Sequence, residues 1–86
     1  MKEHLTMQEL EDLGFKIEKS RTMDDEEFII QLRRKKNVFV ETCWYDYEVY
    51  QQGVFIELEG LPPMFSANPL TKEELTKLDN VINKSI

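Results

Sequence analysis

The sequence has little of what small active sites and small secreted domains are built from. Its 86 residues include one cysteine, one histidine, three glycines and three prolines. A lone cysteine cannot form an internal disulfide, which is typical of a reducing compartment. One Cys and one His are too few ligands for structural zinc, and three scattered glycines do not form a phosphate-binding loop. We therefore expect neither a metal nor another cofactor.

Long apolar runs are also missing. No stretch approaches the roughly 18 apolar residues of a membrane span, and residues 1–5 lack the apolar segment of a signal peptide. We therefore expect a cytoplasmic protein that makes no contact with a membrane. A chain of this length can bury one small core, so we expect a single domain over residues 1–86.

The charge balance is acidic, with 17 Asp and Glu against 11 Lys and Arg and a formal net charge of -6. This balance argues against binding nucleic acid by overall charge. The acidic run 24–27 lacks the ligand spacing and glycine of a calcium loop, so we expect a solvated turn. The only histidine, His4, precedes the first helix, so it is not expected to act as a base for Cys43. The sequence favours a binding protein over an enzyme.

Two segments, residues 5–10 and 70–75, share the motif Leu-Thr-x-x-Glu-Leu. In each, the Thr hydroxyl can accept the third helical N–H while the Glu carboxylate accepts the N–H of the Thr, which is a capping box. The motifs predict helices over residues 7–13 and 72–84, the first ended by Gly14.

The second helix is amphipathic in its sequence pattern. Leu75, Leu78 and Ile82 recur at the spacing of one helix face, which predicts the face that packs on the core. Asp79 and Asn83 belong to the opposite, polar side, where we expect solvent.

The segment between the helices changes to the two-residue alternation of strands. A three-residue hairpin loop, Lys35 to Asn37, is predicted between the second and third strands. Residues 46–53 fit either an early start of the last strand with a bulge near Gly53 or an open loop. The proline-containing segment 60–69 is predicted to be irregular. The predicted strands are 15–18, 27–34, 38–45 and 54–59.

The hairpin loop determines which side chains share a face. A three-residue loop sets Phe28 opposite Trp44 and Leu32 opposite Val40, which gathers the apolar pairs on one side. We expect both helices on that side, giving an α+β two-layer sandwich of order α-β-β-β-(β)-α with an antiparallel meander of three to five strands. The predicted core is Leu10, Leu13, Phe15, Ile17, Phe28, Ile30, Leu32, Val40, Ile56, Leu58, Leu75, Leu78 and Ile82.

The opposite sheet face is the predicted interaction surface. It is too apolar for a plain solvent face and too charged for a second core, and such mixtures are common at protein interfaces. Two alternatives are that these side chains only cover one another, or that another part of the chain covers them. We expect a protein partner or self-association. The predicted surface comprises Ile29, Phe39, Glu41, Cys43, Tyr45 and Phe55.

A second candidate surface combines a basic cluster with aromatic side chains, as single-stranded nucleic-acid binders do. The hairpin separates the basic turn from the rings by about 25 Å, which favours a solvated hairpin tip instead. A nucleic-acid-binding accessory protein is the alternative to a protein-binding one, and a small enzyme is the third. This second set comprises Arg33, Arg34, Lys35, Lys36, Trp44, Tyr47 and Tyr50.

The segment Leu-Glu-Asp-Leu-Gly-Phe at residues 10–15 precedes a tyrosine-rich strand meander and a terminal helix with the Leu-Thr-x-x-Glu-Leu start. In this outline the whole chain resembles small bacterial and phage-borne proteins of unknown function. The resemblance implies an accessory protein, and no functional residue is carried over from it.

Overall fold

The computed structural model describes residues 4–23, 25–46, 48–57, 64–66 and 71–84. Five antiparallel strands form one sheet in the order β1-β2-β3-β4-β5. A helix precedes the sheet and another follows it, which confirms the α+β prediction. The elements are α1 (Met7–Asp12), β1 (Lys16–Met23), β2 (Phe28–Lys35), β3 (Val38–Tyr45), β4 (Glu48–Ile56), β5 (Met64–Ser66) and α2 (Lys72–Lys84).

Both helices begin at the predicted capping boxes. The Oγ1 atom of Thr6 accepts the backbone N–H of Glu9 at 3.1 Å, and Oε1 of Glu9 accepts the backbone N–H of Thr6 at 3.1 Å. Thr71 and Glu74 make the same two hydrogen bonds at 3.2 and 3.3 Å. Two donors that lack intrahelical partners are thus satisfied at each start.

Helix α1 ends where its glycine predicts. Gly14 has φ +92°, a backbone angle that residues with a Cβ rarely adopt. Its N–H donates to the carbonyl of Glu11, and the N–H of Phe15 donates to the carbonyl of Leu10. These two bonds form a Schellman motif, which closes the helix and directs the chain into β1.

Strands β4 and β5 differ from the sequence prediction. β4 begins at Glu48, as in the early-start alternative, but the shift in its pairing with β3 occurs at Tyr50 instead of near Gly53. β5 lies inside the segment predicted to be irregular. The three paired residues of β5, Met64–Ser66, include no proline, so each of them has a backbone N–H.

The hairpin between β2 and β3 has a two-residue loop, Lys36 and Asn37, so the prediction of three residues was wrong. Lys35 opposes Val38, and Phe28 opposes Tyr45. Lys36 has φ +52°, which supplies the left-handed residue of the tight turn. Because successive side chains point to opposite faces, this change of register by one residue exchanges the two faces of β2 relative to β3.

The core lies between the two helices and one face of the sheet, which we call the helix face. As predicted, Leu10, Phe15, Val40 and Leu75 are buried there. Phe28, Ile30 and Leu32, predicted to be core, lie instead on the opposite face, and Ile17 is 49% exposed. Leu58, also predicted to be core, lies outside the described residues. The buried cluster is Leu5, Leu10, Phe15, Val38, Val40, Trp44, Val54 and Leu75.

The polar side of β2 faces the helices, where its side chains find hydrogen-bond partners on the helices and in the core. The Lys35 ammonium donates to the carbonyl of Leu13 at 3.0 Å and to Asp79 Oδ2 at 2.6 Å. Oε1 of Gln31 accepts the indole N–H of Trp44 at 3.2 Å. Polar groups are tolerated in a core when such partners are present.

Arg33 completes the polar side of β2. It is 2% exposed, and its Nη1 donates to the carbonyl of Phe15 at 3.4 Å. The nearest carboxylate oxygen, Oε1 of Glu11, is 3.8 Å from Nη2. The guanidinium therefore joins β2 to the end of α1 through long contacts.

Among the described residues, no helix is long and apolar enough to cross a membrane.

Candidate interaction surface

The face of the sheet turned away from α1 and α2, which we call the outer face, collects most of the predicted interaction residues. The register of β2, β3 and β4 determines its members, since directly opposed residues point to the same side. Met23 joins them from β1, where it opposes Phe28. The apolar and aromatic members are Met23, Phe28, Ile30, Leu32, Phe39, Cys43, Tyr45, Tyr50 and Phe55.

One aromatic cluster lies at the end of the outer face where β1 joins β2 and β3 joins β4. The ring of Phe28 lies 4.9 Å from that of Tyr45 and 5.4 Å from that of Tyr50, centroid to centroid. Tyr45 is 46% exposed and Tyr50 is 66% exposed. The cluster therefore combines apolar rings with the hydroxyl groups of two exposed tyrosines, Tyr45 and Tyr50, which a partner can reach.

A second aromatic pair lies at the other end of the outer face. Phe39 and Phe55 stack with centroids 4.7 Å apart, and the guanidinium carbon of Arg34 lies 5.0 Å from the centroid of Phe39. Phe39 is 6% exposed because Phe55 and Arg34 flank it. The pair forms an apolar block with a cation at its margin.

Smaller side chains occupy the middle of the outer face. A shallow groove of about 630 Å³ runs between β1 and β3, with Ile30 and Leu32 at its floor. Lys19 and Arg21 lie on one side of the groove, and Glu41 lies on the other. The outer face thus has an aromatic group at each end and a charged, partly apolar groove between them.

Cys43 lies beside this groove, opposite Ile30 on β2. Burial raises the pKa of the Cys43 thiol, and the negative charge of Glu41 raises it further. Both causes disfavour the thiolate, so the thiol stays protonated near neutral pH. A protonated thiol is a weak nucleophile, and Cys43 behaves here as a small apolar side chain.

The exposed charges of the sheet are distributed unevenly along the strands. The end with the Phe28 cluster, which we call the acidic end, carries the exposed side chains of Asp25, Glu26, Glu27, Asp46 and Glu48. The opposite end, the basic end, carries Lys16, Arg34 and Lys36. Of the described acids, Glu57 and Glu18 also lie at the basic end, the latter 3.3 Å from Arg34.

Five of the six residues of the predicted interaction surface lie together on the outer face: Phe39, Glu41, Cys43, Tyr45 and Phe55. Ile29 was placed wrongly, since it opposes Trp44 and packs on the core of the helix face. The two-residue loop is the reason. The same loop brings Phe28, Ile30 and Leu32 to the outer face, and no local signal in the strand reveals which side they take.

The second candidate set does not form one surface in the structure. Arg33 and Trp44 are each 2% exposed on the helix face. The Lys35 ammonium is paired with Asp79. Lys36 and Tyr50 are exposed at opposite ends of the sheet. Arg34 is engaged by Glu18 and the ring of Phe39, and Tyr47 lies outside the described residues.

No family model, curated protein or solved structure matches the chain. Within the described part of the chain, no group of three or more His, Cys, Asp or Glu side chains is placed to hold a metal ion.

Proposed function

We propose that the protein is a small cytoplasmic accessory module that works by binding another protein surface with its outer face, and not by catalysis. The observation that carries this proposal is the orientation of β2. This central strand directs Gln31, Arg33 and Lys35 toward the helices, and its apolar side, Phe28, Ile30 and Leu32, away from them. The more apolar side of β2 therefore faces away from the core. A binding partner that covers this side as a second layer would explain the orientation.

The composition of the outer face supports binding. Single exposed apolar side chains are normal on any protein, but a contiguous patch is not. Here Tyr45 and Tyr50 are exposed beside the half-buried Phe28, and Arg34 borders the Phe39 ring at the other end. Tyr, Phe and Arg are enriched at interfaces because they offer large contact areas together with polar or charged groups.

The titration of Cys43 supports the non-catalytic half of the proposal. The outer-face thiol has a pKa raised by burial and by Glu41, which is opposite to the shift that activates a nucleophile. Cys43 is the side chain on the outer face best suited to act as a nucleophile, and its raised pKa makes it a weak one. A binding role does not require it to react.

Site-specific photo-crosslinking in the native cell tests the proposal with a matched pair of positions. A benzophenone amino acid replaces Tyr50 on the outer face in one variant and Val81 on α2 in the other. The two native side chains are equally exposed, at 66% and 64%. We expect discrete protein adducts from position 50 and none from position 81, because, among the described residues, the outer face carries the contiguous apolar surface and the exposed side of α2 does not.

The absence of adducts from position 50, or the same adducts from both positions, would overturn the proposed function. Binding to single-stranded nucleic acid is tested in parallel with the purified chain. Affinity that falls steeply with salt and depends on Arg34 and Lys36 would favour the rival nucleic-acid function. Salt-insensitive or undetectable binding would exclude it.

A further inference from the structure

We propose that the edge of strand β1 binds an acidic, extended segment of another protein as an additional strand of the sheet. This edge is a second surface, separate from the outer face of the proposed function. The segment it accepts carries two carboxylates placed two residues apart. The backbone, the exposure and the charges of β1 all point to a partner of this chemistry.

The backbone of β1 offers an open edge. The strand is eight residues long, all of them exposed, and among the described strands it pairs with β2 only. In an antiparallel sheet, alternate residues direct their N–H and C=O groups to opposite neighbours, so about half of these groups on β1 point away from β2. Such a row of donors and acceptors is a template for strand addition.

A β-bulge determines which part of this edge is regular. The pairing with β2 shifts between Ile17 and Lys19, which leaves Glu18 as the extra residue. Residues 19–23 then pair with β2 without interruption. This stretch spans about 17 Å, which is a common strand length. We therefore place the added strand along residues 19–23.

The charge of β1 is opposite in sign to that of the whole protein. The strand carries three cations and one acid, whereas the chain has a formal net charge of -6. The acid, Glu18, already pairs with Arg34 at 3.3 Å. Among the described residues, Lys19 and Arg21 form no ion pair, and Glu41 lies across the groove on β3, two strands away. Two cations at the edge are thus available to carboxylates of a partner.

The positions of these two cations define the spacing of the carboxylates. Lys19 and Arg21 project toward the outer face, because their partners on β2, Leu32 and Ile30, lie on that face. Opposed side chains of neighbouring strands are close enough to form ion pairs. A partner strand meets both cations only if its two carboxylates share a side, which requires a spacing of two residues. The exposed acidic turn 25–27 would repel further carboxylates beyond this pair.

A second copy of β1 does not fit this edge. Two antiparallel β1 strands centred on Ser20 would set Lys19 against Arg21 at two places. Like charges that are directly opposed destabilise strand pairing. The bulge and the cations therefore protect the edge against pairing with itself, whereas a segment with acids at the matching positions is accepted.

Isothermal titration calorimetry with two synthetic peptides tests the spacing. The probe is a capped peptide with the core Val-Glu-Val-Glu-Val. The control peptide, with the core Glu-Val-Val-Glu-Val, has the same composition but directs its carboxylates to opposite sides of a strand. We expect the probe to bind about fivefold more tightly, because only its carboxylates reach both Lys19 and Arg21. Equal affinities, or no binding of the probe, would overturn the proposal.

Charge reversal on the protein tests the two cations. The double variant Lys19→Glu with Arg21→Glu should bind the probe at least tenfold more weakly, and it should instead bind a peptide with the core Val-Lys-Val-Lys-Val. The control Lys72→Glu, at an exposed position on α2, should leave the affinity for the probe unchanged. Circular dichroism shows whether each variant is folded. Undiminished binding of the probe by the folded double variant would overturn the proposal, and so would its failure to bind the lysine peptide.

Hydrogen exchange in the unmodified protein tests the backbone contacts. Saturation with the probe should slow the exchange of alternate amides within residues 19–23, because these amides gain acceptors. Unchanged exchange would overturn strand addition. Displacement of the probe by single-stranded oligothymidylate would reassign the two cations to nucleic acid and overturn the acidic-segment proposal.

The outcomes for the edge and for the outer face are separable. Position 50 lies on β4, three strands away from β1. Crosslinks from position 50 without any binding of the probe would support the proposed function and overturn the inference about β1. Binding of the probe without crosslinks from position 50 would do the reverse.

Discussion

The Nζ atom of Lys35 lies 2.6 Å from the Oδ2 atom of Asp79, joining β2 to α2 in an ion pair. The Asp79 side chain is 10% exposed, and its other oxygen accepts the Nδ2 group of Asn83 at 2.6 Å. Asn83 in turn donates to the carbonyl of Lys35 and accepts the N–H of Asn37. The side of α2 that the sequence predicts to be solvated is thus the side that holds the hairpin.

Removing one partner of this pair should destabilise the protein. Lys35→Met leaves the carboxylate of Asp79 buried without its cation, and we expect a loss of about 2 kcal/mol in the free energy of unfolding. The matched control is Lys77→Met, which removes the exposed pair with Glu73 and should cost less than about 0.5 kcal/mol. Urea unfolding measures both, and equal losses would contradict the structural role of the buried pair.

Gln52 holds the N-terminal segment on the sheet. Its Oε1 accepts the N–H of Leu5 at 3.2 Å, and its Nε2 donates to the Leu5 carbonyl and to the hydroxyl of Thr42. Gln52→Ala leaves these buried groups without partners and should cost about 2 to 3 kcal/mol. The neighbouring, exposed Gln51→Ala should cost less than about 0.5 kcal/mol.

Hydrogen exchange provides the local test of Gln52. The amide of Leu5 should exchange faster in Gln52→Ala by more than the global loss of stability explains, because its acceptor is missing. Unchanged protection of that amide relative to the rest of the core would show that other contacts hold the segment.

The turn between β2 and β3 carries backbone strain that a single substitution can relieve. Lys36 has φ +52° and Asn37 does not have a positive φ. This combination corresponds to a type II′ turn, whose first central position favours glycine. Lys36→Gly should therefore stabilise the protein by about 0.5 to 1 kcal/mol, measured by thermal unfolding. The control Asn37→Gly should not stabilise it, because that position gains no relief from a positive φ.

Cys43 should show an alkaline shift in reactivity. Burial, then the charge of Glu41, raises its pKa, so alkylation by iodoacetamide at low protein concentration should be slow near neutral pH and accelerate in the alkaline range. Glu41→Gln should move the rate profile to lower pH, although only in part, because burial is the larger cause. The exposed Glu57→Gln is the control, and a profile that Glu41→Gln leaves in place would contradict the proposed electrostatic cause.

The raised pKa of Cys43 also makes the free energy of unfolding depend on pH. A thiol whose pKa is higher in the folded than in the unfolded state binds more protons when folded at alkaline pH. Its stabilising contribution is therefore fully present below the unfolded pKa and is lost as the pH rises through the folded pKa. Cys43→Ser should remove this component from the alkaline decline of stability, as measured by urea unfolding across that pH range.

Local signals in the sequence predict most of the elements. The two capping boxes locate the helix starts because the Thr and Glu of each motif satisfy one another within one turn. The alternation of β3 predicts both its ends and its buried side. β5 escapes prediction because three residues between prolines carry no periodic pattern, and only pairing with β4 makes them a strand.

The interaction surface was predictable only in part. Phe39 and Tyr45 follow from the alternation of β3, whose other side is plainly the core. Ile29 was misplaced and Phe28 missed, because the sidedness of β2 depends on a hairpin loop of two or three residues. Both loop lengths are compatible with the local sequence, and they place opposite sides of the strand against the helices.

By itself, the sequence determined where the helices start and stop, that strand β2 has one apolar and one polar side, and that few groups for chemistry are present. Only the tertiary structure decided that the polar side of β2 faces the helices. The reason is physical: Lys35 meets Asp79 and the end of α1, Arg33 meets the end of α1, and Gln31 meets the indole of Trp44. These partners are distant in sequence, so no local pattern encodes them, and their satisfaction leaves the apolar side of the strand to the outer face.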